Sequence, residues 1–151
     1  MTQKKIIDIL LADDDSEDRM LIMDALQESR LSNNIFCVEN GEELLNFLQN
    51  KGVFSDPEKY PLPGIILLDL NMPKMDGREA LKEIKADTRL CSIPIIVLTT
   101  SKAEEDILKT YGLGVSSFIT KPVNFSSMVD IMKTLDKYWF EIVELPKEND
   151  K

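Results

Sequence analysis

The sequence predicts an α/β fold, a doubly wound, five-stranded parallel sheet with helices on both faces, and two observations predict it. Five short, almost wholly apolar runs recur along the chain, and the stretches between them carry apolar residues three and four apart. A strand that is apolar on both sides must be covered on both sides, and parallel neighbours need right-handed crossovers. Alternation of the two patterns therefore resolves to helices packed above and below one sheet.

Each element has its own local reason. Ile6 to Ala12 (IIDILLA) reads as a buried strand, punctuated by Asp13-Asp14-Asp15-Ser16. Ile22, Ala25 and Leu26 then share one face of a helix whose start Asp15 or Ser16 can cap. Ile35 to Val38 is a second strand, and a helix around Glu42 to Gln49 carries Leu44, Leu45, Phe47 and Leu48. The loop from Asn50 to Pro63 holds Gly52, Pro57, Pro61 and Pro63; loops of that length in a compact domain are uncommon and often functional. Ile65 to Leu68 forms a third strand ending on Asp69. A turn-rich stretch from Asn71 to Gly77 leads into a helix with Ala80, Leu81 and Ile84 inward. Pro94 opens the fourth strand, Ile95 to Leu98, which exits at Thr99-Thr100-Ser101. Ala103, Ile107 and Tyr111 recur four apart on the next helix. Ser117 to Thr120 is a short fifth strand before Lys121-Pro122, and a last helix from about Ser126 buries Met128, Ile131, Met132, Leu135 and Trp139.

Composition excludes several functions. At 151 residues, 43% hydrophobic and 30% charged, the chain suits one globular domain spanning residues 1–151, structured over about residues 6–145 with a short polar C-terminal tail. Eighteen basic against 27 acidic residues leave a net charge of −9, which disfavours nucleic acid and anionic membrane as partners. No apolar run is long enough for a membrane span and none reads as a signal peptide, so a cytoplasmic location is expected. The absence of histidine removes imidazole acid–base catalysis, His-ligated zinc and phosphohistidine on this chain. Cys37 and Cys91 lie in or beside apolar segments and are expected to be buried free thiols.

In doubly wound sheets, ligands sit beyond the carboxyl ends of the strands where the winding direction switches. The residues standing there are Asp13 and Asp14, Asp69, Thr99 and Thr100, and Lys121. Taken singly, each has an ordinary structural role: a cap, a loop entry, a strand-end hydroxyl, a surface amine. Jointly, three carboxylates in one crevice would repel unless a cation joined them, and hard oxygen donors favour Mg²⁺. A lysine and a hydroxyl at the same edge supply donors for a phosphoryl oxygen. The arrangement reads as a site for phosphoryl transfer to a carboxylate.

Asp13-Asp14, Asp69 within LLDLNMPKMDG, Thr99 within VLTTS, and Lys121-Pro122 together resemble the receiver domain of two-component response regulators, over nearly the whole chain. The Asn50 to Pro63 loop and the ending from Trp139 to Pro146 resemble the single-domain regulators associated with bacterial, cyanobacterial-type phytochromes. The resemblance implies a flavodoxin-like receiver fold, with Asp69 taking a phosphoryl group from the phosphohistidine of a sensor histidine kinase. Asp13, Asp14, Asp69 and the backbone carbonyl of Asn71 would hold Mg²⁺. Lys121 would pair with Asp69 and then with the phosphoryl group, while Thr99 and Phe118 would act as the switch. Asn71 and Ser101 would flank the path of attacking water. Thr100, where many receivers carry Ala or Gly, would narrow access to Asp69. These three would thus tune phosphoryl lifetime.

No output domain is expected, so the signal would leave by contact with an unidentified downstream protein. Tyr138, Phe140, Ile142 and Val143 offer more apolar surface than one inner helix stripe needs and are interface candidates. The resemblance further implies a homodimer through the fourth helix, fifth strand and last helix. Competing readings are a Mg²⁺-dependent aspartyl-phosphate hydrolase, which usually has a second acid where Asn71 stands, and an adaptor that works without phosphorylation. A flavodoxin-like cofactor binder is a third, but the phosphate-cradling loop it needs is missing after the first strand.

Overall fold

The computed structural model describes residues 7–29, 32–72, 74–75, 77–99, 115, 117–120, 125–126, 129–130 and 133. Its elements run β1 (Ile7–Ala12), α1 (Ser16–Ser29), β2 (Ser32–Val38), α2 (Gly41–Leu48), β3 (Ile65–Asp69), α3 (Gly77–Ala86), β4 (Ile95–Thr99) and β5 (Ser117–Thr120). All five strands pair in parallel in the order β2-β1-β3-β4-β5. The chain therefore winds outward from β1 to β2, crosses back over β1 to β3, and continues the other way. The reversal leaves a crevice beyond the ends of β1 and β3, where a ligand finds its place in such sheets.

Alternation along each strand divides the core in two. Leu10, Ala12, Val38, Ile66, Leu68, Ile95 and Val97 face α2 and α3, against Leu44, Phe47, Leu48, Leu81 and Ile84. Ile9, Leu11, Ile65, Leu67, Ile96 and Leu98 face α1, against Ile22, Ala25 and Leu26. Val129, which is not among the inward residues expected of the last helix, is buried on this second side, whereas Met128, Ile131, Met132, Leu135 and Trp139 lie outside the described residues.

Local chemistry sets the helix starts. Asp15 Oδ1 accepts the amides of Glu17 at 2.9 Å and Asp18 at 3.3 Å, so Asp15 is the cap of α1. Asn40 caps α2 by accepting the Glu43 amide at 2.8 Å, and the Glu43 carboxylate returns to the Glu39 amide at 2.9 Å. Such a reciprocal pair satisfies two otherwise orphaned donors and contributes roughly 1 kcal/mol.

Two expectations are corrected. Cys37 is exposed and Cys91 half-buried, although both are free as expected. β2 is an edge strand, so Cys37 has neighbours on only one side; there its sulfur lies 3.5 Å from Met23 Sδ. Burial against that side pushes the Cys37 thiol up, outweighing the downward pull of the Arg19 guanidinium, with Asp13 adding to the rise. A raised thiol is a poor nucleophile. β2 also begins at Ser32, ahead of the apolar run, because pairing with β1 recruits polar residues at the sheet edge.

The Asn50 to Pro63 segment is more ordered than a long loop suggests. It contains a 3₁₀ turn, Gly52–Phe54, and the rings of Phe54 and Tyr60 pack with each other and with Phe47 at centroid distances of 5.1–5.5 Å. Asn50, at a left-handed φ of 53°, donates its side-chain amide to the carbonyls of Phe54 at 3.0 Å and Tyr60 at 3.1 Å. The segment is thus stapled to the sheet through an aromatic cluster, while Val53 at its tip is 81% exposed.

Candidate functional site

Strand register alone brings the acids together. Ala12 pairs with Leu68, so Asp13, the first residue past β1, stands beside Asp69, the last residue of β3. Asp14 follows on the exposed rim, whereas Asp13 and Asp69 are buried, Asp69 to 3% exposure. One carboxylate oxygen from each of the three lies within 4.8 Å of the others. Because Asp15 satisfies the cap of α1, neither Asp13 nor Asp14 is needed for that purpose.

Backbone contacts fix both buried acids. The Asp13 amide donates to Val38 O at 3.1 Å, its Oδ1 accepts the Asp15 amide at 3.0 Å, and its carbonyl accepts Arg19 Nη1 at 2.7 Å. Asp69 Oδ1 accepts the Asn71 amide at 3.0 Å, which holds the carboxylate against the start of the loop after β3. The far end of that loop is pinned too. Gly77 donates to Leu70 O at 2.9 Å, and the Gly41 amide at the start of α2 donates to Met75 O at 2.8 Å. Neither glycine has room for a side chain, since a Cβ on Gly77 would stand 2.5 Å from Asp69 O and one on Gly41 2.2 Å from Met75 O. Lys74, between these anchors, takes a left-handed φ of 61°.

The donor set fits a hard divalent cation. Ligands of such an ion at ordinary metal–oxygen distances lie no more than about 4–5 Å apart, and the three carboxylate oxygens all fall within 4.8 Å of one another. Three oxygen donors without sulfur or imidazole select magnesium, calcium or manganese over zinc or copper.

Of the other expected residues, Thr99 is the last residue of β4 and its backbone pairs with Thr120, one step beyond the pairing of Leu98 with Asp69. Phe118 lies in β5, its backbone paired with Val97. Thr100, Ser101, Lys121, Tyr138, Phe140, Ile142 and Val143 lie outside the described residues. Sequence reasoning passes over Arg19 and Gly41, and it reads Gly77 as a turn residue of the matched motif without its close approach to Asp69. Arg19 carries one usable signal: a cation near a helix N-terminus opposes the helix dipole and calls for a specific partner.

Residues 9–133 match the family model of the response regulator receiver domain. Response regulator Rcp1 of Synechocystis sp. is 38% identical over 138 residues, 91% of this chain and 92% of that protein. Among solved structures, the phosphorylated cyanobacterial phytochrome response regulator RcpA is similar with a TM-score of 0.78 and 39% identity, over 91% of this chain and 96% of that one. The Mn²⁺-bound form of Rcp1 is similar with a TM-score of 0.75 and 37% identity, over 90% and 96%. Among the described residues, no helix is long and apolar enough to cross a membrane.

Proposed function

The chain belongs to the response-regulator receiver family, and from that premise we propose that it accepts a phosphoryl group on Asp69 from the phosphohistidine of a sensor histidine kinase. The observation that carries this reading is the meeting of Asp13, Asp14 and Asp69 at the switch point of the sheet, their oxygens within 4.8 Å. A carboxylate oxygen of Asp69 forms the new bond to phosphorus as the phosphorus–nitrogen bond of the donor breaks, its electron pair leaving with the imidazole. Asp13, Asp14, Asp69 and the Asn71 carbonyl would hold the cation, for which Mg²⁺ is the physiological choice. When bound, it supplies the positive charge that lets an anionic nucleophile approach an anionic phosphoryl group. Lys121 and Thr99 donate to phosphoryl oxygens, and Phe118 follows Thr99 in the switch. Asn71, Thr100 and Ser101 govern access of water and thereby lifetime.

On this reading the chain is a phosphoacceptor rather than a turnover enzyme, and it works in the cytoplasm. The similarity to regulators named for phytochromes supports a phytochrome-type kinase as donor. The signal leaves through a changed surface, with Tyr138, Phe140, Ile142 and Val143 meeting a downstream protein or a second copy of the chain. Light scattering is expected to show a dimer; a monomer at every accessible concentration, phosphorylated or not, would exclude that part.

Incubation with acetyl phosphate and Mg²⁺, followed by intact-mass measurement, tests the function directly. A single phosphate adduct is expected, lost when the metal is chelated. No adduct, even from a phosphohistidine donor, would leave the adaptor that works without phosphorylation as the better account.

A further inference from the structure

We propose that Arg19 is a positioning residue of the metal pocket: it clamps the strand-end backbone of Asp13 and so holds that acid's carboxylate where a shared cation requires it. The inference rests on the metal site of the function proposed above and adds a residue to it.

The geometry is specific. Arg19 belongs to the N-terminal part of α1, its own amide bonded to Asp15 O at 3.0 Å, yet its side chain folds back across the cap to the end of β1. There Nη1 donates to the Asp13 carbonyl at 2.7 Å, a short, charge-assisted bond. Nη2 reaches Glu39 Oε2 at 3.5 Å, just past the end of β2. The guanidinium thus ties together the end of β1, the start of α1 and the exit of β2. A cation beside Asp13 would compete with a metal if it paired with that acid's carboxylate; the short bond of Nη1 goes to the carbonyl instead. The side chain is 18% exposed, so it is not an ordinary solvated helix cation.

The Asp13 amide, in the peptide that enters the residue, is held by Val38 O, and Oδ1 is held by the Asp15 amide; Arg19 fixes the carbonyl of the peptide that leaves it, so the backbone is held on both sides of the acid. Groups that orient a metal ligand from behind commonly change metal affinity about 10- to 100-fold when lost. Lysine, a compact charge without a planar fork, cannot span both partners and should restore the function only in part.

The test compares wild type, Arg19→Met, Arg19→Lys and Glu39→Gln. Mn²⁺ binding is followed by calorimetry, and phosphate uptake from acetyl phosphate is followed against Mg²⁺ concentration. Arg19→Met is expected to raise the half-saturating metal concentration about tenfold while the uptake rate at saturating metal stays near wild type. Arg19→Lys should fall between the two, and Glu39→Gln, touching only the longer exposed contact, should shift least. Should Arg19→Met not fold, the ordering of the two milder variants decides. Unchanged half-saturation in the arginine variants, or a fall in the plateau rate alone, overturns the positioning role and leaves the receiver function standing. A wild-type chain that binds no Mn²⁺ overturns both.

Discussion

An Asp69→Asn chain is expected to take up no phosphate under any condition and, without metal, to melt a few degrees higher than wild type. The first effect follows from removal of the anionic oxygen that would bond to phosphorus. The second follows from electrostatics. Three carboxylates whose oxygens lie within 4.8 Å of each other repel in the absence of a cation; at an effective dielectric constant near 20, one such pair costs about 3 kcal/mol. Solvent around exposed Asp14 and the surrounding hydrogen bonds absorb most of it, leaving about 1 kcal/mol to be regained. In a chain of this size that raises the melting temperature by about 2–4 °C. Asparagine retains the shape of the side chain and can still accept the Asn71 amide through Oδ1, so the loop after β3 keeps its anchor. Saturating Mg²⁺, which at a hundred times its dissociation constant stabilises a protein by about 2.7 kcal/mol, should stabilise the variant much less. Thermal melts with and without Mg²⁺ read both quantities. A variant that melts lower without metal, or keeps the full Mg²⁺ increment, would contradict the account of three mutually repelling acids.

Gly77→Ala should be the most damaging single-methyl addition near the site. The new Cβ would sit 2.5 Å from Asp69 O and 2.6 Å from Leu70 Cα. Both are backbone atoms, and neither can retreat without moving the peptide of Asp69 itself. Gly77 does not hold a positive φ, so the cost is collision rather than conformation. Overpacking of this kind costs roughly 1–3 kcal/mol, and the upper part of that range is expected because the Gly77 bond to Leu70 O holds the two segments together. Urea unfolding should show a lower midpoint, and Mn²⁺ titration a weaker site. A variant equal to wild type in both would mean that α3 can shift outward freely, against the close packing of Ala80, Leu81 and Ile84.

The sheet was legible because its strands are buried on both faces, and short apolar runs that stop abruptly on charge or hydroxyl are seldom anything but such strands. The acidic site was legible for the same reason: Asp13, Asp14 and Asp69 stand where the runs stop. Features that depend on distant pairing were not. Ser32, Asn33 and Asn34 stand outside the apolar run from Ile35 to Val38, and pairing with β1 makes them strand. Cys37 reads as core because its neighbours are apolar; its exposure comes from β2 being at the edge, which is a property of strand order. The aromatic cluster joins Phe36, Phe47, Phe54 and Tyr60 across 24 positions of sequence, and no local pattern reveals that they meet. Arg19 and Gly77 likewise act on atoms that sequence spacing does not bring near them.

The pairing of Ala12 with Leu68 carries one more consequence. Ordinarily, alternation of apolar and polar residues tells a strand which neighbour to match, because a slip by one position would turn its oily side to water. β1 and β3 lack that instruction where they pair, since Ile9 to Ala12 and Ile65 to Leu68 are buried on both sides. A slip by one would still match oil with oil. It would also draw Asp13 or Asp69 into the body of the sheet, where an uncompensated carboxylate is far more costly than any gain in pairing. The two acids are therefore bookends. They mark the alignment in which the paired runs stay dry and the charges stand at their tips, so a displaced pair of acids would betray a misaligned sheet.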